Sequence, residues 1–398
     1  MTQGVPQQTP TEDTPLPWGT LTLLAAAVFA AITTEVLPVG LLPLMAASLG
    51  VGEGAVGLLV SVYAVVVAVG CIPLTALVVR WPRHHVLVAV LLLYALSNGL
   101  LAVATAYPVA VLARLLGGLA HAVFFSVVFT AAVSLVPATR MGRAVAFVGA
   151  GNALGLAMGV PLGAAVGNEL GWRWVVGGFA LLLALLAGLC ARRLPRGGPP
   201  AGSAQEPVLR AVRRGPLLRV AAVVVLVVFG HYTAFTYVSL LLLRSGVTQD
   251  RVSLVLLGYG VAGVLGLLAA GALADRRPRA GLTGAVALTV ACLVGLALVG
   301  GSTGLTVTAV VVWGAAFGAL PTLLQTAAFR ATPQAPDAAP AVVNATFNVG
   351  IAGGALLGAQ QLGLAGPGSL AVTGAAIVGV SLLLVVLPGG RVPVAVPR

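Results

Sequence analysis

Twelve apolar stretches, most of about 20 residues or a little more, constrain this chain more than any other feature. They run over residues 19–46, 55–78, 86–106, 108–135, 144–166 and 172–191, then 218–243, 252–273, 281–299, 305–328, 339–362 and 369–388. In hydrocarbon every backbone N–H and C=O must be paired within the chain, so stretches of this length cross a bilayer as helices. A barrel would instead show short strands with alternating polarity. Composition agrees: 59% of the residues are hydrophobic, 8% are charged, and the mean hydropathy is +1.09. A water-soluble protein of this size needs a far more polar surface. The expected fold class is therefore an all-α polytopic membrane protein.

The net charge of +12 is distributed for membrane topology, not for binding nucleic acid. All 21 basic residues are arginines, and with the N-terminus placed inside, 17 fall in cytoplasmic segments and 3 in outer ones. That asymmetry predicts cytoplasmic termini. Residues 1–17, without a basic residue, read as a disordered cytoplasmic tail, and 391–398 as a second tail. Residues 192–217, rich in Pro, Gly and Arg, read as a cytoplasmic linker between halves at 18–191 and 218–390, with a short interfacial helix near Val208–Arg214. Cys71, Cys190 and Cys292 lie in or beside apolar stretches without disulfide or metal spacing, so no metal site is expected.

The stretches after the second and eighth spans echo each other: TALVVRWPR (75–83) and GALADRRPR (271–279). The second resembles the signature of the major facilitator superfamily, through Gly271, Asp275, Arg276 and Arg279. In the first copy Arg80 and Arg83 remain, but Thr75 and Val79 replace the glycine and the acid. The resemblance implies two six-helix halves around a central cavity, with this acid closing the cytoplasmic side of the outward-facing state. GNALGLAMGVPLG (151–163) resembles the glycine–proline motif of the family's proton-coupled antiporters. Physically, Gly151, Gly155, Gly159 and Gly163 form one smooth helix face, open to close packing or to that motif's role. Pro161 removes a backbone donor and softens the helix. ARLLGGLAHA (113–122) is similar to the fourth-helix motif whose arginine faces the cavity, and TTEVLPVGLLP (33–43) to the first helix of bacterial drug, sugar and nucleoside exporters.

Glu35 is the one acid deep in a span, about 18 Å from the outer end of its helix at 1.5 Å per residue. A charge there costs at least ~2.5 kcal/mol, so it must be neutralised, paired or open to a cavity. Either it forms a static pair with Arg114, or it alternates between a proton and another partner. Arg114 and His121 are seven residues apart and share a helix face, with His121 at about the depth of Glu35. His121 is either a proton carrier or a neutral hydrogen-bonding residue. The second half offers His231, Tyr232, Tyr237, Trp313, Gln325, Asn344 and Asn348 as an aromatic and amide wall, or as packing.

No acid dyad, zinc spacing or nucleophile elbow points to an enzyme. The expectation is a proton-coupled secondary transporter that exports lipophilic or weakly cationic compounds by alternating access. The alternatives are sugar or nucleoside efflux, or a proton-coupled uptake symporter. It would need no cofactor beyond the coupling proton. It is expected to act as a monomer in a bacterial inner membrane, with a small molecule and the bilayer as its partners.

Overall fold

The computed structural model describes residues 16–78, 81–137, 141–195, 215–299, 301–331 and 338–386. Twelve helices within them are long and apolar enough to cross a membrane. The first half comprises α1 (Trp18–Leu49), α2 (Glu53–Val78), α3 (Arg83–Ala102), α4 (Tyr107–Ser134), α5 and α6 (Trp172–Arg193). Of these, α5 is composite: Met141–Leu154, a π-helical turn at Gly155–Gly159, then Val160–Leu170. In the second half α7 is broken, running over Gly215–Phe235 and Val238–Arg244. It is followed by α8 (Gln249–Arg276), α9 (Pro278–Leu298), α10 (Thr303–Ala331), α11 (Ala338–Ala365) and α12 (Gly368–Val386). Gly50, Gly171, Gly246 and Gly366, with positive φ, make tight reversals at the end opposite the first turn of α1.

The halves pack by the same rules. In the first, α1 lies on α5, α2 on α4, and α3 on α4 and α6; in the second, α7 lies on α11, α8 on α10, and α9 on α10 and α12. The halves meet along two principal seams, α2 with α11 and α5 with α8. Large apolar side chains such as Val69 of α2, Leu181 of α6, Leu265 of α8 and Leu298 of α9 are exposed, a surface suited to lipid.

The α1–α5 contact shows what the glycines do. A Cβ at Gly151 would run into the Ala25 carbonyl, at Gly155 into Ile32, at Gly159 into Thr33 and at Gly163 into Leu37. The glycine face thus lets α1 come close, through its backbone at Gly151 and through the side chains of Ile32, Thr33 and Leu37 at the other three. Pro161 supplies no N–H to the Ala157 carbonyl four residues earlier. The helix answers with the π turn. Ala157 is also where α5 meets the other half, its carbonyl lying against Gly260 of α8.

Several sequence expectations concern residues that are described only in part or not at all. Arg80, most of the 192–217 linker with its interfacial helix, and both tails lie largely outside the described residues. Of Gly271, Asp275 and Arg276 only the helical backbone is described. Arg83 donates from Nη1 to the Thr130 carbonyl at 3.4 Å, and Arg279 is exposed.

Gly151→Ala should lower the thermal unfolding midpoint in detergent by the equivalent of about 1–3 kcal/mol, because its methyl meets backbone and not a movable side-chain tip. Gly178→Ala in α6, where a Cβ meets nothing within 4 Å, should be neutral or stabilising. Equal midpoints for the two variants would refute the close α1–α5 packing.

Candidate functional site

Within α1, Pro38 and Pro43 interrupt an otherwise continuous helix. Proline has no N–H, so the carbonyls of Thr34 and Val39, each four residues earlier, lose their usual helical donors. In hydrocarbon such carbonyls need other partners. Arg114 on α4 supplies one: its Nη1 donates to the Thr34 carbonyl at 3.0 Å. The same guanidinium donates from Nη2 to the Glu35 carbonyl at 2.8 Å and from Nε to the Leu59 carbonyl of α2 at 3.1 Å. It also lies 4.1 Å above the centroid of the Tyr63 ring. Arg114 is therefore engaged with the backbone of Glu35, while the carboxylate turns elsewhere.

That carboxylate faces His121. Glu35 Oε2 lies 3.6 Å from His121 Nδ1, with the two side chains 13% and 4% exposed. Nδ1 is also 2.9 Å from the Tyr63 hydroxyl and 2.8 Å from the Tyr94 hydroxyl, and these hydroxyls are 3.4 Å apart. Four helices thus converge on one imidazole nitrogen: α1 through Glu35, α2 through Tyr63, α3 through Tyr94 and α4 through His121 itself. Gly117 and Gly118, one turn before His121, make room for Tyr63. A nitrogen that accepts when neutral and donates when protonated can exchange partners among these groups.

Beside this cluster, and reached by the next residue of α1, Val36, lies a cavity of about 500 Å³. Its walls combine the aromatic rings of Tyr232, Phe235, Tyr259 and Phe317 with neutral polar groups on Asn152, Thr322, Gln325 and Thr326. No Asp, Glu, Lys or Arg is among its described lining residues. The lining on α5, α8 and α10 extends from mid-span toward the end where α1 begins.

At the opposite end the halves are joined. Asn168 Nδ2 donates to the Gln249 carbonyl at 3.2 Å, and Gln249 Nε2 donates to Asn168 Oδ1 at 3.3 Å. Ser239 Oγ reaches toward the Pro43-freed Val39 carbonyl at 3.5 Å. The Tyr237 ring lies under Gly57 of the first half.

The expected residues divide accordingly. Glu35, Arg114 and His121 come together, although Arg114 holds carbonyls where a carboxylate partner was one expectation. His231, Tyr232 and Gln325 line the cavity. Trp313 lies fully buried behind it against His231 and Phe235, and Tyr237 donates its hydroxyl to the Ala355 carbonyl at 3.0 Å in the seam. Asn344 is exposed, and Asn348 is buried and donates back to the Asn344 carbonyl at 3.0 Å; neither lines the cavity. Sequence reasoning missed Tyr63, Tyr94, Asn152, Tyr259 and Phe317. The first two carried a usable signal, hydroxyls that need partners in apolar helices.

If Arg114 serves the gap left by Pro38, the two residues are energetically coupled. Pro38→Ala restores a helical donor, so Arg114→Gln should cost about 1 kcal/mol less in that background, within the range of hydrogen bonds to charged groups. Thermal midpoints of the four proteins of the cycle measure this, and strict additivity would refute it.

Comparison with known proteins follows the same outline. The family model described as Major Facilitator Superfamily matches residues 23–359. A probable sugar efflux transporter of Mannheimia succiniciproducens is 31% identical over 377 residues, covering 93% of this chain and 94% of that protein. Two crystal structures of a bacterial homologue of the human lysosomal transporter Spinster share the fold. The inward-facing unoccupied form aligns with TM-score 0.68 at 16% identity, covering 93% of this chain and 94% of that one. The inward-facing occupied form aligns with TM-score 0.69 at 14% identity and the same coverage. On the family match and this full-length relationship, the chain belongs to the Major Facilitator Superfamily: a multi-pass membrane transporter of small solutes by secondary active transport, and not an enzyme.

Proposed function

We propose that the protein exports a neutral, sugar-like solute in exchange for protons, with Glu35 and His121 as the coupling groups. The observation that carries this reading is the chemistry of the cavity wall. Aromatic faces pack against the C–H faces of a sugar ring, and the amides and hydroxyls of Asn152, Thr322, Gln325 and Thr326 answer its hydroxyls. A lipophilic cation, the cargo first expected from the sequence, would meet no carboxylate among those lining residues. The sugar alternative is therefore preferred, and the name of the 31%-identical relative supports it. The cavity also lies within the size range of small-molecule sites, about 300–1,000 Å³.

The arginine distribution supports cytoplasmic termini in a bacterial inner membrane. On that orientation the cavity opens inward, and the Asn168–Gln249 and Tyr237–Gly57 contacts form the outer seal. The solute enters from the cytoplasm, the halves rock, and Glu35 takes a proton from outside as the solute leaves. A single protein molecule contains the whole route.

The test uses proteoliposomes with the cytoplasmic face inward, loaded with a labelled neutral sugar. Acidifying the outside by one unit should sustain about a tenfold outward sugar ratio for one proton per solute, since one unit is worth about 1.4 kcal/mol. Glu35→Gln should abolish that response while the purified variant still binds sugar. A sugar flux indifferent to the gradient would remove proton coupling. A lipophilic cation transported in place of every sugar tried would remove the substrate class.

A further inference from the structure

His121 Nδ1 has one in-plane site, yet three oxygens surround it: Tyr94 at 2.8 Å, Tyr63 at 2.9 Å and Glu35 Oε2 at 3.6 Å. That site is either a lone pair or an N–H, never both. As a lone pair it accepts from tyrosine and has nothing to offer a carboxylate. As an N–H it donates, and the carboxylate is the strongest acceptor within reach. The shorter distances are those to the tyrosines and not to the carboxylate, which fits an accepting Nδ1 better than a donating one.

We infer that Tyr63 and Tyr94 set the protonation state of His121. Their hydroxyls hold Nδ1 as an acceptor, and the coupling proton is stored by displacing them and turning Nδ1 toward Glu35. This rests on the proposed proton coupling and adds a control to it.

The step balances without a further reactant. A proton on Glu35 Oε2 passes to Nδ1; the O–H bond breaks, the N–H bond forms, and the pair changes from acid and imidazole to carboxylate and imidazolium. The hydroxyls, relieved of Nδ1, turn toward each other across 3.4 Å. The reverse transfer returns the proton to Glu35 when the tyrosines reclaim the nitrogen.

The groups around the imidazole are accounted for. From α1 it meets Glu35, from α2 Tyr63, from α3 Tyr94, and from its own helix the ring of Phe125. Arg114, the nearby fixed cation, is occupied by the Thr34, Glu35 and Leu59 carbonyls and contacts the Tyr63 ring. Its charge disfavours a second cation at His121, which is why the imidazolium needs Glu35 as its partner. Tyr63 and Tyr94 are thus positioning residues for the proton.

Nitrogen-15 NMR of the full-length protein with labelled histidine, assigned by comparison with His121→Gln, tests the first half of the inference. At alkaline pH the His121 resonances should show Nδ1 bare and Nε2 protonated; a protonated Nδ1 there would overturn it. The second half is read from the pH profile of sugar transport in Tyr63→Phe, Tyr94→Phe and the double variant. Each phenylalanine fills the ring space but gives up the bond that keeps Nδ1 neutral. The profile should move to higher pH, by about one unit in the double variant if it loses roughly 1.4 kcal/mol of preference for the neutral form. Far-UV circular dichroism and thermal midpoints check that the variants are folded.

An unmoved profile in a folded double variant, with transport still abolished by Glu35→Gln, would overturn the tyrosine control and leave the coupling reading intact. A wild-type protein whose sugar flux ignores the pH gradient would overturn both. Movement of the profile with a bare Nδ1 would establish the control.

Discussion

The carbonyl of Thr34 has no helical donor because residue 38 is proline, and much of the first half is organised around that vacancy. In water a solvent molecule would fill it; in a bilayer the protein must. Arg114 fills it, and its remaining donors reach Glu35 and Leu59, so a single guanidinium ties α4 to the backbones of α1 and α2. A buried guanidinium is itself costly, and its cost is offset by three carbonyls and an aromatic face. Because the arginine is engaged with carbonyls, the Glu35 carboxylate is left to His121. The proline thus determines, two steps removed, which group the acid faces.

The same constraint recurs where the halves meet. Pro43 frees the Val39 carbonyl, and Ser239 of α7 points toward it across the seam. Pro161 frees the Ala157 carbonyl, which lies against Gly260 of α8. Prolines in α1 and α5 therefore expose backbone polarity toward the opposite half, where contacts must be broken and remade if the halves rock. A long hydroxyl contact and a glycine surface are weak partners, and weak partners are easily exchanged.

Much of this architecture is legible in the sequence because its cause is local. Span number follows from apolar length, and a close helix contact on α5 from glycines at four-residue spacing, though not that its partner is α1. The depth of Glu35 and His121 follows from a fixed rise per residue. Helix rotation is not local in this way. In a bundle whose helices are apolar on every side, the face toward the cavity and the face toward a neighbour look alike. Trp313 and Tyr237 could therefore be assigned to the cavity as readily as Tyr232, and only packing separates them. Tyr63 and Tyr94 are obscured for the same reason, since their meeting point belongs to three helices at once. Pro38 and Arg114 were each visible, but a freed carbonyl carries no label naming the side chain that will reach it.

Glycine contacts connect these features mechanically. Gly159, the last residue of the π turn in α5, packs on Thr33, two residues from Glu35. Ala157, within the same turn, packs on Gly260 of the opposite half. The least regular turn of α5 is thus in contact on one side with the helix that bears the carboxylate and on the other with the half that supplies most of the cavity wall. Ala157 and Gly260 meet through backbone atoms, and Gly159 has no side chain of its own where Thr33 rests on it, so little at either contact can absorb a shift. Displacement of α8 along α5 must therefore be taken up in the π turn itself or passed to α1 beside Glu35. Cavity shape and the surroundings of the carboxylate are in this way linked through a single helical turn.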